Sequence, residues 1–230
     1  MNSPKNIRNK EVTEQDLQHS LEGLLDLEKR LTKEVATFIQ IGGSKGELLS
    51  MDYFISAIVN RAISLISGFQ TLGSINNYIA AVPIIRMQVD NILRLFAATI
   101  APNRDKFFQE YLAGEHIGNM KDVNGKRMTD SYLAKKVDSE LYPGILNLYQ
   151  NTSGYVHLSN VHAFLQVEIE DENKGEMRTF VGRYDFWKID EKVDFAFNMF
   201  KSTEFLYRLV RGWTLYKNNL YKPDRHSDPN

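Results

Sequence analysis

The chain has 230 residues, with 28 Lys and Arg against 29 Asp and Glu for a formal net charge of −1, and no cysteine. One domain of this length can bury roughly 70% of its unfolded surface. The absence of cysteine excludes disulfides and thiolate metal sites and fits a reducing compartment, with the cytoplasm as the default, while near-neutrality excludes the global basic field of a strong nonspecific nucleic-acid binder.

The opening MNSPKNIRNKEVTEQD is polar where a signal peptide needs an apolar core. Residues 1–12 are expected to be a flexible N-terminus, 13–221 a single helical domain, and 222–230 a flexible tail. Thr13 followed by Asp16 resembles a capping box. Leu17, Leu21, Leu24, Leu31, Val35 and Phe38 then recur at helical spacing, predicting a long amphipathic helix that ends in the loop Gly42–Gly46.

A second helix is predicted over Met51–Gln70, where two adjacent apolar stripes imply burial on two sides. A third, Asn76–Ile100, carries Ile84, Ile85, Val89, Ile92, Leu93, Leu95 and Phe96 and is expected to be central. Pro83 inside it predicts a kink or a restart. Asn76, Asn77, Arg86, Asp90 and Arg94 interrupt its apolar run, so no membrane span is expected.

Beyond Pro102 the pattern shortens. Helices are predicted around Arg104–Leu112 and Ser131–Ser139, with a turn at Asn124-Gly125 between them. Pro143 suits the first turn of a helix that runs toward His157. Alternation around Val167, Ile169, Met177, Phe180 and Val181, split by Asp171–Gly175, predicts a β-hairpin. A hairpin alone is marginal, so it should lie on the helices or extend a partner's sheet. From Asp190, a good N-cap, a last long helix carries Val193, Phe197, Phe200, Phe205, Leu209 and Trp213 toward Tyr221.

Two polar constellations stand out. Arg86, Asp90 and Arg94 are spaced i, i+4, i+8 and share one edge of the third helix, with Asn91 beside them. An unpaired buried charge costs several kcal/mol, so these residues form an ion-pair ladder between helices or open onto a cleft that takes an anion. Tyr149, Ser153 and His157 repeat at the same spacing if the helix survives Gly154. A neutral imidazole there can take a proton from water or a ribose 2′-hydroxyl, or can simply cap a helix end or bond a carboxylate.

His157 and His162 could meet Glu168 or Asp90 around a metal, but they lack the i, i+4 spacing of a helical ligand pair, so no metal is expected. His19, His116 and His226 are isolated. No phosphate loop, dinucleotide fingerprint or Gly-x-Ser-x-Gly elbow is present, so no cofactor is expected.

The segment IIRMQVDNILRLFA, followed after a variable stretch by LYQNTSGYVHLSNVH, resembles a bacterial helical family of unknown function. Its members carry an Arg-x-x-x-(Asp/Glu) helix and a Ser-x-x-x-His-x-Ser element. That family is similar to the wider HEPN group, helical bundles of toxins, abortive-infection proteins and defence ribonucleases. The overlap spans about Asn76 to His162.

Periodicity predicts a mainly α chain with a small β-hairpin before the last long helix, and the resemblance implies a HEPN-like helical bundle and a homodimer with a shared cleft. It implies that His157 matches the histidine of the RNA-cutting members and Asn151 the polar residue, whereas Gln150 stands where they carry the arginine that steadies phosphate charge. Either Arg86 or Arg94 supplies that charge, or the chain is a non-catalytic relative.

Three functions compete. One is a HEPN-like interaction module in a defence or toxin–antitoxin setting, with a protein partner. Another is metal-independent RNA cleavage or binding, with His157 as base, Arg86 as phosphate clamp and Ser153 or Asn151 orienting the substrate. The last is a small-ligand pocket drawing on Tyr149, Arg86, His157, Asp90 and Arg94.

Overall fold

The computed structural model describes residues 12–42, 47–157, 159–164, 167–171, 175–182, 185 and 187–221, with the backbone alone at 161, 164 and 168–171. The expected flexible ends, apart from Val12, lie outside these residues, as do most of the Gly42–Gly46 loop and His226. The described chain is mainly helical: α1 (Glu14–Gln40), α2 (Ser50–Ser74), α3 (Tyr78–Ile100), α4 (Arg104–Leu112), α5 (Asp130–Glu140), α6 (Ile145–Val156), α7 (Asn160–Phe164) and α8 (Ile189–Leu220). A 3-10 turn spans Ile117–Asn119, and the strands β1 (Val167–Asp171) and β2 (Glu176–Thr179) precede α8. Among the described residues no helix is long and apolar enough to cross a membrane.

The predicted capping box opens α1, where the Asp16 carboxylate accepts from the Thr13 N–H at 2.9 Å and from its hydroxyl at 2.8 Å. Leu24, Leu27, Leu31 and Phe38 are the buried face of α1, which lies along α8. Helix α3 is the axis of the bundle and packs on α2, α4, α5, α6 and α8. It can do so because Ala81, Ile85, Val89, Ile92, Leu93, Ala97 and Ala98, all fully buried, surround it with apolar surface. Burial of each larger aliphatic side chain contributes about 1.5–3 kcal/mol.

α3 is a single helix through Pro83, so of the kink or restart expected there the restart does not occur; the bond that Pro83 cannot make would go to the carbonyl of Ile79, an exposed residue that water can reach. Three other expected details differ. Pro143 precedes α6 instead of opening it. Gly144 is the N-cap, and the Asp138 carboxylate accepts from the Gly144 and Leu146 N–H groups at 2.8 and 3.1 Å.

Lys188, not Asp190, caps α8. Glu191 accepts the Lys188 N–H at 2.9 Å, and Asp190 and Glu191 place negative charge in the first turn, where the helix dipole favours it. Finally, the hairpin is antiparallel as expected, pairing Val167 with Thr179 and Ile169 with Met177, but β2 is shorter than predicted and leaves out Phe180 and Val181. β2 is exposed along its length, and β1 neighbours α7. Turn residues 172–174 lie outside the described set.

Candidate functional site

α6 survives Gly154 and reaches Val156, so Tyr149 and Ser153 stack one turn apart on a single face, with His157 following at the C-cap. That face packs on α3 and brings Tyr149, Ser153 and His157 beside Arg86 and Asp90. The five residues line an open crevice of about 360 Å³, completed by Arg61 from α2, Asp130 from α5, and the exposed apolar rim residues Met87 and Val156. The guanidinium of Arg86 and the imidazole of His157 therefore line one open crevice.

The Arg86 guanidinium lies 4.1 Å from the centroid of the Tyr149 ring, a cation–π geometry that holds the side chain in place. Among the described residues its one ion pair is long, with Nη2 3.4 Å from Asp130 Oδ2, against the roughly 2.7–2.9 Å of a strong charge-assisted bond. Arg86 and Asp90 are not paired despite their spacing, because Asp90 is taken twice: Oδ2 accepts from Arg61 at 3.0 Å and Oδ1 from Arg94 at 2.9 Å. Arg94 also meets Asp130 at 2.6 Å. The result is a chain Arg61–Asp90–Arg94–Asp130–Arg86, in which three guanidiniums face two carboxylates.

The chain continues inward through uncharged groups. Asn91 Oδ1 accepts from Arg61 at 2.6 Å, Asn91 Nδ2 donates to Gln88 at 3.0 Å, and Gln88 Nε2 donates to the Thr203 hydroxyl at 2.9 Å. This ties α2, α3 and α8 together beneath the crevice. Asp130 opens α5, and the loop that delivers it is organised by Asp122, which accepts from the Tyr132 hydroxyl at 2.6 Å and from the Asn124 and Lys126 N–H groups at 2.9 Å each. Burial pushes the Asp122 carboxyl up, but the bonds from Tyr132, Lys126 and Asn124 outweigh it and hold the group below its ordinary value. The same bond to Asp122, aided by burial, raises the Tyr132 phenol to about 12.

Among the described residues the His157 side chain, which is exposed, has no hydrogen-bond partner, so both ring nitrogens are open to a ligand. Ser153 is more constrained. Its hydroxyl donates to the Tyr149 carbonyl at 2.6 Å and can only accept from a ligand. His162 takes the capping role, its Nδ1 accepting from the Ser159 N–H at 3.3 Å.

Asn151 does not line the crevice. It is exposed on a different face of α6, because two residues along a helix turn the side chain by about 200°. Gln150 is exposed as well. Arg94 lines a neighbouring chamber rather than the crevice. Among the described residues no three His, Asp or Glu are grouped to hold a metal ion; the Glu168 side chain lies outside them.

Sequence reasoning missed Arg61 and Asp130. Arg61 had a signal, since it and Asp52 are the only charges in α2. Asp130 had none, standing at the end of the polar run GNMKDVNGKRMTD. A larger cavity of about 650 Å³ lies between α4 and the segment that follows it. Lys106 pairs with Glu110 at 3.6 Å and Glu115 Oε1 accepts from Asn119 at 2.9 Å, while Lys121 is exposed; the lining holds neither a guanidinium nor an imidazole. No protein-family model, curated protein or solved structure matches this chain.

Proposed function

We propose that this chain is a HEPN-like helical module that binds single-stranded RNA through one phosphate in the Arg86–His157 crevice, without a metal ion, and that cleaves it slowly or not at all. The observation that carries the reading is the meeting of a weakly paired guanidinium and an exposed imidazole in one open site. Arg86 has donors to spare for phosphate oxygens, and stacking on Tyr149 fixes its direction. The crevice lining is formally neutral, with Arg61 and Arg86 against Asp90 and Asp130, so a phosphate is held by the spare donors of Arg86 rather than by net charge.

Cleavage would run with His157 removing the proton of a ribose 2′-hydroxyl while the freed oxygen attacks phosphorus. The bond to the 5′-oxygen breaks, that oxygen takes a proton from water, and a 2′,3′-cyclic phosphate remains. Two observations weigh binding above catalysis. Asp130 already draws on Arg86, and Gln150 and Asn151, at the positions of the arginine and polar residue of RNA-cutting relatives, are exposed away from the crevice.

Met87 and Val156, 39% and 49% exposed at the crevice rim, favour a second reading in which a protein surface, a second copy or another chain, covers the site and makes it an interaction module. Binding of a labelled single-stranded RNA to the wild type, Arg86→Gln and His157→Ala in excess chelator tests the proposal. Arg86→Gln should weaken binding, and His157→Ala should abolish any cleavage. Absence of RNA binding by the wild type would leave the interaction module as the better reading.

A further inference from the structure

On the far side of the Arg61–Asp90 pair lies a second chamber of about 400 Å³, within the roughly 300–1,000 Å³ typical of small-molecule sites. Phe54 and Ile58 of α2, Tyr111 of α4 and Ile117 of the 3-10 turn supply its apolar lining, and Arg61, Asp90, Asn91 and Arg94 its polar lining. His116 and Glu115 stand at its mouth, both exposed. The chamber has no role in the phosphate-binding crevice just described.

Its hydrogen-bonding groups are out of balance. Arg94 Nη2 serves both Asp90 and Asp130, and its Nη1, without a hydrogen-bond partner among the described residues, is itself buried, so the donors that reach the chamber are those of Arg61 and His116. Among the described residues Arg61 bonds only through Nη1, to Asp90 and Asn91. His116 Nδ1 accepts from the Gly118 N–H at 3.1 Å, so in the neutral ring Nε2 carries the hydrogen and is a donor. Gly118 is required for this, since a Cβ there would fall 2.8 Å from that nitrogen. Donors thus exceed acceptors.

Charge does not. Arg61 and Arg94 face Asp90 and Glu115, so the lining is formally neutral and gives no net pull on an anion. The occupant that fits is an uncharged planar ring with carbonyl acceptors, able to lie on Tyr111 and to offer N–H groups to the Glu115 carboxylate.

We infer that this chamber binds an oxo-bearing nucleobase, guanine foremost. Guanine presents O6 and N7 as acceptors to a guanidinium, whereas adenine replaces the carbonyl by an amine donor. It also presents ring and amino N–H groups for Glu115. Stacking on an aromatic side chain is the usual support for an unpaired base. The base comes either from a free nucleoside or from the RNA strand whose phosphate occupies the adjoining crevice; only the second source rests on the proposed function.

Calorimetric titration of the full chain with guanosine and with adenosine tests the inference. Guanosine should bind saturably and at least about tenfold more tightly than adenosine, in line with the discrimination of a bidentate guanidinium contact. Ala57→Phe, at an exposed lining position, should abolish guanosine binding while leaving the melting temperature unchanged. His116→Ala should weaken binding by removing one donor. No saturable guanosine binding, equal binding of the two nucleosides, or binding that persists in Ala57→Phe would each overturn the inference.

The source is separated by titrating a guanine-containing oligonucleotide and an oligoadenylate. If the base belongs to RNA, Ala57→Phe weakens the first and spares the second. If it is a free nucleoside, both RNAs bind alike and only guanosine is lost. Guanosine binding in a chain that binds no RNA would sink the proposed function and leave this chamber assigned.

Discussion

Helix α2 carries two charges, and the bundle treats them in opposite ways. Asp52, 1% exposed, is sealed. Its carboxylate accepts from Lys217 Nζ at 2.6 Å, from Trp213 Nε1 at 2.8 Å and from the Leu49 N–H at 2.8 Å, while Lys217, fully buried, also donates to the Phe38 carbonyl at 2.9 Å. Arg61, nine residues on, is exposed at the edge of two cavities and shares Asp90 with Arg94. The closed cluster joins the ends of α1, α2 and α8 and leaves nothing for a ligand. The open one retains donors and an exposed imidazole beside it. Ionic residues in a helical bundle are fasteners where they saturate one another and candidates for binding where they do not.

Substitutions can break that contrast, and the largest effect should come from the closed cluster. Lys217→Met leaves Asp52 as a buried carboxylate without its cation and should cost about 3–5 kcal/mol in a denaturant melt. A loss below about 1 kcal/mol, within the range of an exposed ion pair, would mean that the two clusters are not different in kind. At the open cluster, Arg86→Gln should cost far less stability, about 1 kcal/mol, because only a long ion pair and a ring contact are lost. Its main effect should appear as weaker RNA binding. His157→Ala should shift stability by less than about 0.5 kcal/mol, as for an exposed side chain without partners, while removing any cleavage.

The loop that delivers Asp130 gives a pH-dependent test. Tyr132 titrates near 12 when folded against 10.0 for a free phenol, so its bond to Asp122 stabilises the fold fully below about pH 10 and less as pH rises toward 12. Asp122 is depressed, so its contribution is present above the ordinary carboxylate value and fades as pH falls through the lowered one. Tyr132→Phe should therefore be less stable than the wild type at neutral pH and converge with it in alkali. A constant gap across that range would contradict the assigned bond.

Much of the helical frame was legible in the sequence because apolar spacing reports burial directly. The central standing of α3 followed from that signal, and the Thr13–Asp16 cap from the capping-box spacing of a hydroxyl and a carboxylate. Helix starts were less legible. Asp138 caps α6 from the end of the preceding helix, and Glu191 rather than Asp190 closes the cap of α8, so the decisive side chains lay off the residues that local rules single out.

The same limit applied to the site. Residues on one helix, Arg86 with Asp90 and Tyr149 with Ser153 and His157, could be grouped by spacing. Their partners Arg61 and Asp130 are 29 and 36 to 44 residues away in sequence and met them only on folding. Asn151 was read from a family resemblance rather than from helical phase, and phase places it away from the crevice.

The direct test of the central claim is the salt dependence of single-stranded RNA affinity, measured by fluorescence anisotropy for the wild type and Arg86→Gln. If the crevice holds a phosphate through Arg86, the wild type binds more weakly as salt rises, and the substitution lowers affinity and reduces the logarithmic salt slope by about one. Identical affinities and slopes for the two proteins would remove Arg86 from the interface and with it the proposed site.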